Sequence, residues 1–226
     1  MVTPLRYQFR EARAWRASLA RDWTELNYCV IDIETTGLDP DKDNIIAFGA
    51  VPIIEGRISV PQATSFLTKP DCAVGIESAK IHMLRDQDLS DMPSIESYAS
   101  DIASAVEGKV VVAHSAWMEE SFLTRAFGRR NLPFHLPIID TARMAAEALE
   151  LPPLGRADVS LEYLSQSLGL PTHTPHEALS DALTTAQVFL VLAHRLASRE
   201  PLMLGDLITL SKTRPPMAAA SRLEMK

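Results

Sequence analysis

The order of its apolar segments narrows the fold of this chain more than any other feature. Residues 28–34, 45–54 and 57–66 indicate three strands in succession, and Glu55-Gly56 is typical of a hairpin turn. Beyond residue 93, strand patterns alternate with amphipathic helical ones. Three antiparallel strands followed by this alternation predict a mixed α/β sheet flanked by helices. The predicted later strands are 109–114 and 137–140, the predicted helices are 94–106, 116–129, 141–149, 160–168 and 176–197, and residues 69–93 are predicted to be a loop with one short helix.

The 226 residues suit one main domain with short additions at its ends. In residues 5–23 the apolar side chains recur on one helical face, so residues 1–26 are predicted to form an amphipathic helical extension. That helix either packs on the domain surface or contacts nucleic acid or a partner. Residues 27–200 form the predicted main domain. Residues 201–226, with paired prolines and three consecutive alanines, form a C-terminal segment that we expect to be partly flexible.

Composition limits the location and the partners of the chain. We expect neither a membrane span, which needs about 18 consecutive apolar residues, nor a signal peptide. Only Cys29 and Cys72 are present, which argues against a disulfide framework and predicts a cytoplasmic protein. The 22 basic and 29 acidic residues give a net charge of −7, unlike a protein that coats duplex DNA. A nuclease remains compatible with this charge, because bound metal ions can meet the phosphate.

Two acidic residues interrupt the first strand pattern. Asp32 and Glu34 lie two positions apart, so both side chains leave the strand on one face with Cα atoms roughly 7 Å apart. Carboxylates on an apolar strand are costly unless a cation partners them, and Mg²⁺ and Mn²⁺ prefer oxygen ligands. The pair therefore indicates a metal site, with two solvated acids near a strand end as the alternative.

The residues after this pair carry a family resemblance. The run Asp-Ile-Glu-Thr-Thr-Gly-Leu that ends at Leu38 resembles the first motif of the DEDD exonuclease superfamily, which includes bacterial proofreading subunits and RNase T. The resemblance implies that both acids bind catalytic metals. It also implies that the backbone of Thr35, Thr36 and Gly37 contacts the terminal nucleotide and that Leu38 packs against its base. Gly37 permits a tight turn and the close approach of a ligand, and an apolar Leu38 accepts any base.

A second resemblance lies at the start of the last predicted helix of the main domain. His176 is followed five residues later by Asp181, as in the third motif of the histidine-bearing branch of the superfamily. The resemblance implies that Asp181 is a metal ligand and that His176 is the general base, a role that histidine suits near neutral pH. Without the first motif, a histidine at a helix start beside a solvated aspartate would explain the same residues.

The middle motif departs from the family pattern. His114 and the residues after it resemble the sequence His-Asn-Ala-x-Phe-Asp, but Ser115, Met118 and Glu119 replace asparagine, phenylalanine and aspartate. The resemblance implies that His114 contacts substrate and that Glu119 is the fourth metal ligand. The apolar pair Phe122-Leu123 shares a helical face with Glu119 and turns it inward. One added methylene moves the carboxylate by about 1.5 Å at full extension, so metal ligation requires that the helix retreat or that coordination shift between direct and water-mediated, and we expect activity to survive. A purely structural Glu119 is the alternative.

Other polar residues have predicted supporting roles. Asp140, at a strand-to-helix junction, is predicted to be an N-cap or to act behind the metal ligands. His82 lies in a further family-like stretch and is expected to be structural. Arg125, Arg129 and Arg130 either guide the nucleic-acid backbone or are ordinary cations at a helix end.

The resemblance extends over about residues 28–197 and implies a ribonuclease H-like fold. It implies 3′→5′ exonucleolytic hydrolysis of single-stranded DNA or RNA ends to nucleoside monophosphates, with a DNA polymerase or a repair protein as a candidate partner. A monomer and a homodimer both remain open. The alternatives are a catalytically weak or inactive module that binds nucleic-acid ends, and a nucleotidyl transferase. The implied two-ion site of Mg²⁺ or Mn²⁺ consists of Asp32, Glu34, Glu119 and Asp181, with His176 as the base.

Overall fold

Six strands form one mixed sheet in the parts of the chain that the computed structural model describes, residues 17–128, 137–151, 159–171 and 173–212. The strands are β1 (Tyr28–Thr35), β2 (Ile45–Ile54), β3 (Arg57–Ile58), β4 (Thr64–Leu67), β5 (Val110–Ala113) and β6 (Ile138–Asp140). Central β1 pairs with β2 in antiparallel and with β5 in parallel orientation. β6 extends the parallel half, while β3 and β4 share the outer edge of β2. The predicted mixed sheet is therefore confirmed.

The predicted hairpin turn is confirmed, but the strand that follows it is broken. Glu55 and Gly56 both have positive φ, 50° and 72°, which suits a two-residue turn between β2 and β3. The prediction of one strand over residues 57–66 is wrong in its middle, where a 3₁₀ turn (Val60–Gln62) separates β3 from β4. Pro61 explains the break, because it has no N–H to donate to β2.

Eight α-helices lie wholly within the described residues. They are α1 (Ile76–His82), α2 (Asp86–Leu89), α3 (Ala99–Val106), α4 (Trp117–Gly128), α5 (Thr141–Ala148), α6 (Leu161–Ser167), α7 (Ala178–Ala197) and α8 (Leu204–Ser211). Helices α4 to α7 confirm four predictions. The predicted helix 94–106 begins as a 3₁₀ turn (Ile95–Tyr98) before α3, and residues 69–93 hold two short helices instead of one. Helix α8 was not predicted. None of the described helices is both long and apolar enough to span a membrane.

Alternation along β1 sorts its side chains between two cores. Val30 points into the core formed with α5, α7 and α8. Cys29 and Ile31 point into the core formed with α3 and α4. Fully burying a side chain such as that of Ile31 contributes about 1.5–3 kcal/mol, so the register of β1 is strongly specified. Asp32 and Glu34 continue the series of Val30 and therefore face α7.

Both flanking segments pack on this core where they are described. Trp23 is 3% exposed, and Asp22 forms an isolated bridge with Met203. Most of the predicted helix 5–23 lies outside the described residues. Residues 17 and 18 are helical, but the chain turns before Trp23, where a 3₁₀ turn begins. The division of the chain at residues 26 and 200 stays a prediction.

Candidate active site

β1 carries its two acids beyond the end of one neighbouring strand. It pairs with β5 only from Tyr28 to Val30, whereas β2 supports it further along. Asp32 and Glu34 lie in this projecting part, and both are half-buried. Because β5 ends here, side chains from other elements can approach the two carboxylates.

Helix α7 brings a third carboxylate to the pair. Carboxylate oxygens of Asp32, Glu34 and Asp181 lie within 4.8 Å of one another. This approach depends on Gly49, the β2 residue paired with Asp32. A Cβ atom on Gly49 would lie 2.4 Å from the carbonyl group of Ala178 at the start of α7, far closer than such atoms pack. The missing side chain of Gly49 therefore sets how near Asp181 comes to β1.

Glu119 reaches the same region from the opposite face of the sheet. Phe122 and Leu123 anchor α4 in the core on that face, and Glu119 is 3% exposed. The backbone N–H of Ile33 lies near its carboxylate, and its Oε2 has no hydrogen-bond partner among the described residues. Glu119 is not one of the three acids grouped within 4.8 Å. Its charge nevertheless raises the pKa of Asp32 more than the charge of either other acid does, although burial contributes most.

The pKa values of all four acids are raised. Burial is the largest cause at each of them, and nearby negative charges add to it. The pKa of Glu34 rises to about 7 and that of Glu119 to about 8. The pKa values of Asp32 and Asp181 also lie above the ordinary aspartate value. Crowded carboxylates with an unpartnered buried oxygen, and with oxygen atoms as the only donors, fit a hard divalent cation such as Mg²⁺ or Mn²⁺.

His176 lies at the rim of this cluster. It precedes α7, its side chain is exposed, and its φ is 59°. Its backbone N–H donates to Oδ2 of Asp181 at 2.9 Å. A non-glycine residue in this left-handed conformation costs about 1–2 kcal/mol, and here the conformation places an imidazole beside a clustered acid.

Hydrogen bonds around Thr36 hold the loop that follows β1. Its N–H donates to the Asn44 carbonyl and its own carbonyl accepts the N–H of Gly75, each at 2.9 Å. Its hydroxyl donates to Oδ1 of Asp43 at 3.0 Å. Thr36 is 1% exposed, and Thr35 is also buried. Both backbone polar groups of Thr36 therefore have partners inside the protein, and the contact of Thr35 and Thr36 with a nucleotide stays a prediction.

Gly37 makes room for a side chain of its own loop. A Cβ atom at this position would lie 2.4 Å from the Asp43 carboxylate, which also accepts the N–H of Asp39 at 2.8 Å. The close approach that we expected of a ligand is made by Asp43, and a substrate contact at Gly37 stays a prediction. Leu38 is 73% exposed, so its apolar surface is available to a ligand.

Both ring nitrogens of His114 have partners inside the protein. Nδ1 lies 2.9 Å from the Thr141 hydroxyl, and Nε2 lies 2.9 Å from the Val159 carbonyl. Burial lowers the pKa of His114 and so favours the neutral ring. The side chain ties the end of β5 to α5 and to residue 159. Its predicted contact with substrate stays a prediction.

Asp140 joins three elements and confirms the predicted N-cap. Its Oδ1 accepts the N–H of Ala142 at 2.9 Å, at the start of α5, and the N–H of Ser115 at 3.1 Å, before α4. Its own N–H donates to the hydroxyl of Ser211 in α8 at 2.9 Å. The charge of Asp140 also contributes to the raised pKa of Glu119 after burial.

Three further residues support the site. Arg125 donates to the carbonyl of Pro40 and so braces the loop after β1, whereas Arg129 and Arg130 lie outside the described residues. His82 is 8% exposed, as a structural role requires, and lies near the backbone of Thr35. Gly49 was missed, because no sequence pattern reveals which strand residue a helix will approach.

A groove of about 610 Å³ lies elsewhere on the molecule. Its lining includes Phe66, Tyr98 and Lys109 and contains neither the four acids nor His176. Phe66 and Tyr98 stack with ring centroids 3.9 Å apart. The groove is therefore separate from the candidate site.

Comparison with known proteins shows which family shares this arrangement. The RNase T family model, described as an exonuclease, matches residues 29–189. The chain is 32% identical to the DNA polymerase III subunit epsilon of Treponema pallidum over 74% of this chain and 77% of that protein. It is 35% identical to the PolC-type DNA polymerase III of Thermotoga petrophila over 72% of this chain, but spans only 12% of that protein. Exonuclease X, solved with 5′ overhanging duplex DNA, superimposes with a TM-score of 0.59 at 25% identity, over 80% of this chain and 99% of that chain.

Proposed function

The chain belongs to the RNase T family of DnaQ-like 3′→5′ exonucleases, and on that premise we propose that it removes single nucleotides from single-stranded DNA or RNA. The released products are nucleoside monophosphates. One observation carries the proposal: acids of β1 and α7 meet within 4.8 Å, with buried Glu119 beside them and exposed His176 at their rim. Such a group of oxygen ligands beside a proton acceptor suits phosphodiester hydrolysis.

The acids of the cluster would hold two divalent ions, Mg²⁺ or Mn²⁺. When bound, such ions supply positive charge to the oxygen atoms of the phosphoryl group under attack. The unpartnered Oε2 supports Glu119 as a ligand, because a buried carboxylate oxygen without a donor is costly unless a cation reaches it. The four proposed ligands are Asp32, Glu34, Glu119 and Asp181.

His176 would accept the proton of the attacking water. Its exposed imidazole can take a proton from a water at the cluster and release it to solvent. The hydrogen bond from the backbone N–H of His176 to the Asp181 carboxylate links the proposed general base to a proposed metal ligand. The two residues therefore hold a defined relative position.

The loop after β1 would receive the terminal nucleotide. Backbone groups of Thr35, Thr36 and Gly37 would contact its sugar and phosphate, and Leu38 would pack against its base. The 73% exposure of Leu38 supports this contact, and an apolar surface accepts bases of any identity. His114 would contribute from the neighbouring end of β5.

A labelled single strand tests the proposal directly. Oligonucleotides of DNA and RNA with a 5′ label would be incubated in parallel with Mg²⁺, Mn²⁺ or EDTA. We expect a metal-dependent ladder that shortens from the 3′ end and is lost in Asp32→Ala and Glu119→Ala. Glu120→Ala is the matched control, because Glu120 neighbours Glu119 on α4 but is exposed.

The position of Glu119 outside the group of three acids favours one competing function. A module that binds nucleic-acid ends without hydrolysis would hold the strand equally well in EDTA. An absent ladder with every metal, together with such metal-independent binding by folded protein, would replace the enzyme with this module. A ladder lost only in Asp32→Ala would retain the enzyme and remove Glu119 from the ligand set.

The relatives suggest a setting for this activity. The Treponema relative is a subunit of DNA polymerase III, and we propose a polymerase or a repair complex as the partner of this chain. Cys29 and Cys72 are both free thiols, which suits the reducing cytoplasm. Copurification with a tagged chain would test the partner.

A further inference from the structure

Exposed apolar side chains are concentrated beside the candidate site. Seven large apolar side chains are exposed in the described parts of the chain, and four of them lie on the loop after β1 or on the segment that contains α1. The four are Leu38, Ile76, Ile81 and Met83. Such clustering of exposed apolar surface marks a binding site more often than chance placement does.

Met83 differs from the others because its backbone is strained. It ends α1 with φ 62° and ψ 7°, a left-handed conformation that glycine adopts without cost at this position of a helix. Packing does not repay the strain, since the side chain is 74% exposed. Strain kept by an exposed residue points to a function of the side chain.

Contacts at both ends of α1 connect the helix that Met83 ends to residues of the candidate site. The N–H of Gly75, just before the helix, donates to the carbonyl of Thr36 at 2.9 Å. His82, just before Met83, is buried near the backbone of Thr35. Burial lowers the pKa of His82, and the nearby His176 lowers it further. Met83 therefore directly follows a buried residue that lies near both the nucleotide loop and the proposed base.

The charges around this rim do not favour attachment through phosphates. Lys42 pairs with Asp39 at 2.7 Å, and Lys80 pairs with Glu77 at 2.6 Å. Arg85 pairs with Asp88 at 3.1 Å. Each cation is thus partly neutralised by an acid three residues away in the sequence. The faces of unpaired bases are the apolar part of a nucleic acid, and they suit the exposed apolar side chains here.

We propose that Met83 is a substrate-contacting residue whose thioether packs on an unpaired base of the strand that enters the site. The contact favours single strands, because a paired and stacked base cannot present its face to Met83. This inference rests on the proposed exonuclease function and adds to it a residue that selects the substrate.

Three substitutions separate the side chain from the backbone strain. Met83→Gly and Met83→Asn both suit the left-handed conformation and remove the apolar contact, whereas Met83→Leu keeps both the strain and the contact. We expect the first two to raise the melting temperature and to raise KM for a single-stranded oligonucleotide about tenfold, with kcat little changed. Met83→Leu should resemble the unmodified chain in both measurements.

Glu55→Gly is the matched control. Glu55 also has a positive φ, 50°, but lies in the hairpin turn between β2 and β3. This variant should gain thermal stability without any change in KM. An unchanged KM in Met83→Gly and Met83→Asn, with the same gain in stability, would overturn the proposal. Met83 would then be a strained residue without a contact to substrate.

A binding measurement keeps this test independent of turnover. Fluorescence anisotropy of a 5′-labelled oligonucleotide would compare the Met83 variants in an Asp32→Asn background. A loss of affinity there supports the Met83 contact even if the unmodified chain releases no nucleotides, which would contradict the proposed function alone. Equal affinities of the Met83 variants would contradict the contact alone.

Discussion

At the scale of single residues, Glu119 keeps a carboxylate buried close to the other acids. The nearby backbone N–H groups of Ile33 and of Glu119 itself favour the charged carboxylate, but burial outweighs them and raises the pKa of Glu119 to about 8. A carboxylate in this position keeps one bare oxygen near the other acids.

Glu119→Gln should stabilise the metal-free protein and disable the enzyme. The substitution removes a buried negative charge whose pKa is about 8, so the melting temperature in EDTA at pH 8.5 should rise. The increase on adding Mn²⁺ should shrink, and hydrolysis should fall by about 100-fold or more. Thermal melts and oligonucleotide cleavage measure both effects. Glu120→Gln serves as the exposed control, and an unaltered response to Mn²⁺ would show that Glu119 is not a ligand.

At the scale of secondary-structure elements, the site depends on how closely α7 approaches the sheet. Asp181 belongs to α7, and Asp32 belongs to β1. Gly49 of β2 pairs with Asp32 and lies against the start of α7. Main-chain atoms of Ala178 and Leu179 occupy the space where a side chain of residue 49 would be. The geometry of the carboxylate cluster is therefore a consequence of helix-on-sheet packing.

Gly49→Ala should push the start of α7 away from β2. We expect a loss of about 1–3 kcal/mol in the free energy of unfolding, as for other overpacked cores, and weaker Mn²⁺ binding because Asp181 moves with the helix. Denaturant unfolding and metal titration measure these effects. Gly128→Ala is the matched control, because a Cβ atom at that helix end meets nothing within 4 Å. Full metal affinity in Gly49→Ala would show that α7 can shift without loss of the site.

At the scale of the whole molecule, acidic charge dominates. The net charge is −7, and three of the acids lie within 4.8 Å of one another, with Glu119 buried near them. In the folded chain these acids either keep their protons at a pH at which the unfolded chain has lost them, or they ionise and repel one another. The acids therefore lower the stability of the entire fold.

The stability of the metal-free protein should fall as the pH rises from about 5 to 8. A carboxyl group with a raised pKa keeps its proton in the folded state after the unfolded chain has lost its own, so rising pH favours unfolding. For Glu34 and Glu119 the loss runs from 4.5, the ordinary glutamate value, to about 7 and about 8. Thermal melts in EDTA across this range measure it. Mn²⁺ should flatten the trend, and a melting temperature that rises toward pH 8 in EDTA would contradict the raised values.

Local sequence patterns were enough to predict much of the fold and the chemical nature of the site. Alternation in β1 determined that Asp32 and Glu34 share a face, and the helical stripe of α4 determined that Glu119 turns inward. Both follow from the backbone period, which needs no knowledge of other elements. The motifs extended this to Asp181 and His176, which the fold does bring to one end of the sheet.

Tertiary structure alone decided which atoms meet. The break between β3 and β4, the helix α8 that holds Asp140, and the separation of Glu119 from the group of three acids all depend on contacts between distant segments. Asp43 filling the space at Gly37, and α7 filling it at Gly49, have no signature in local sequence. A glycine in the sequence indicates only that no side chain fits at that position, whereas the packing of the whole chain determines which group occupies the space.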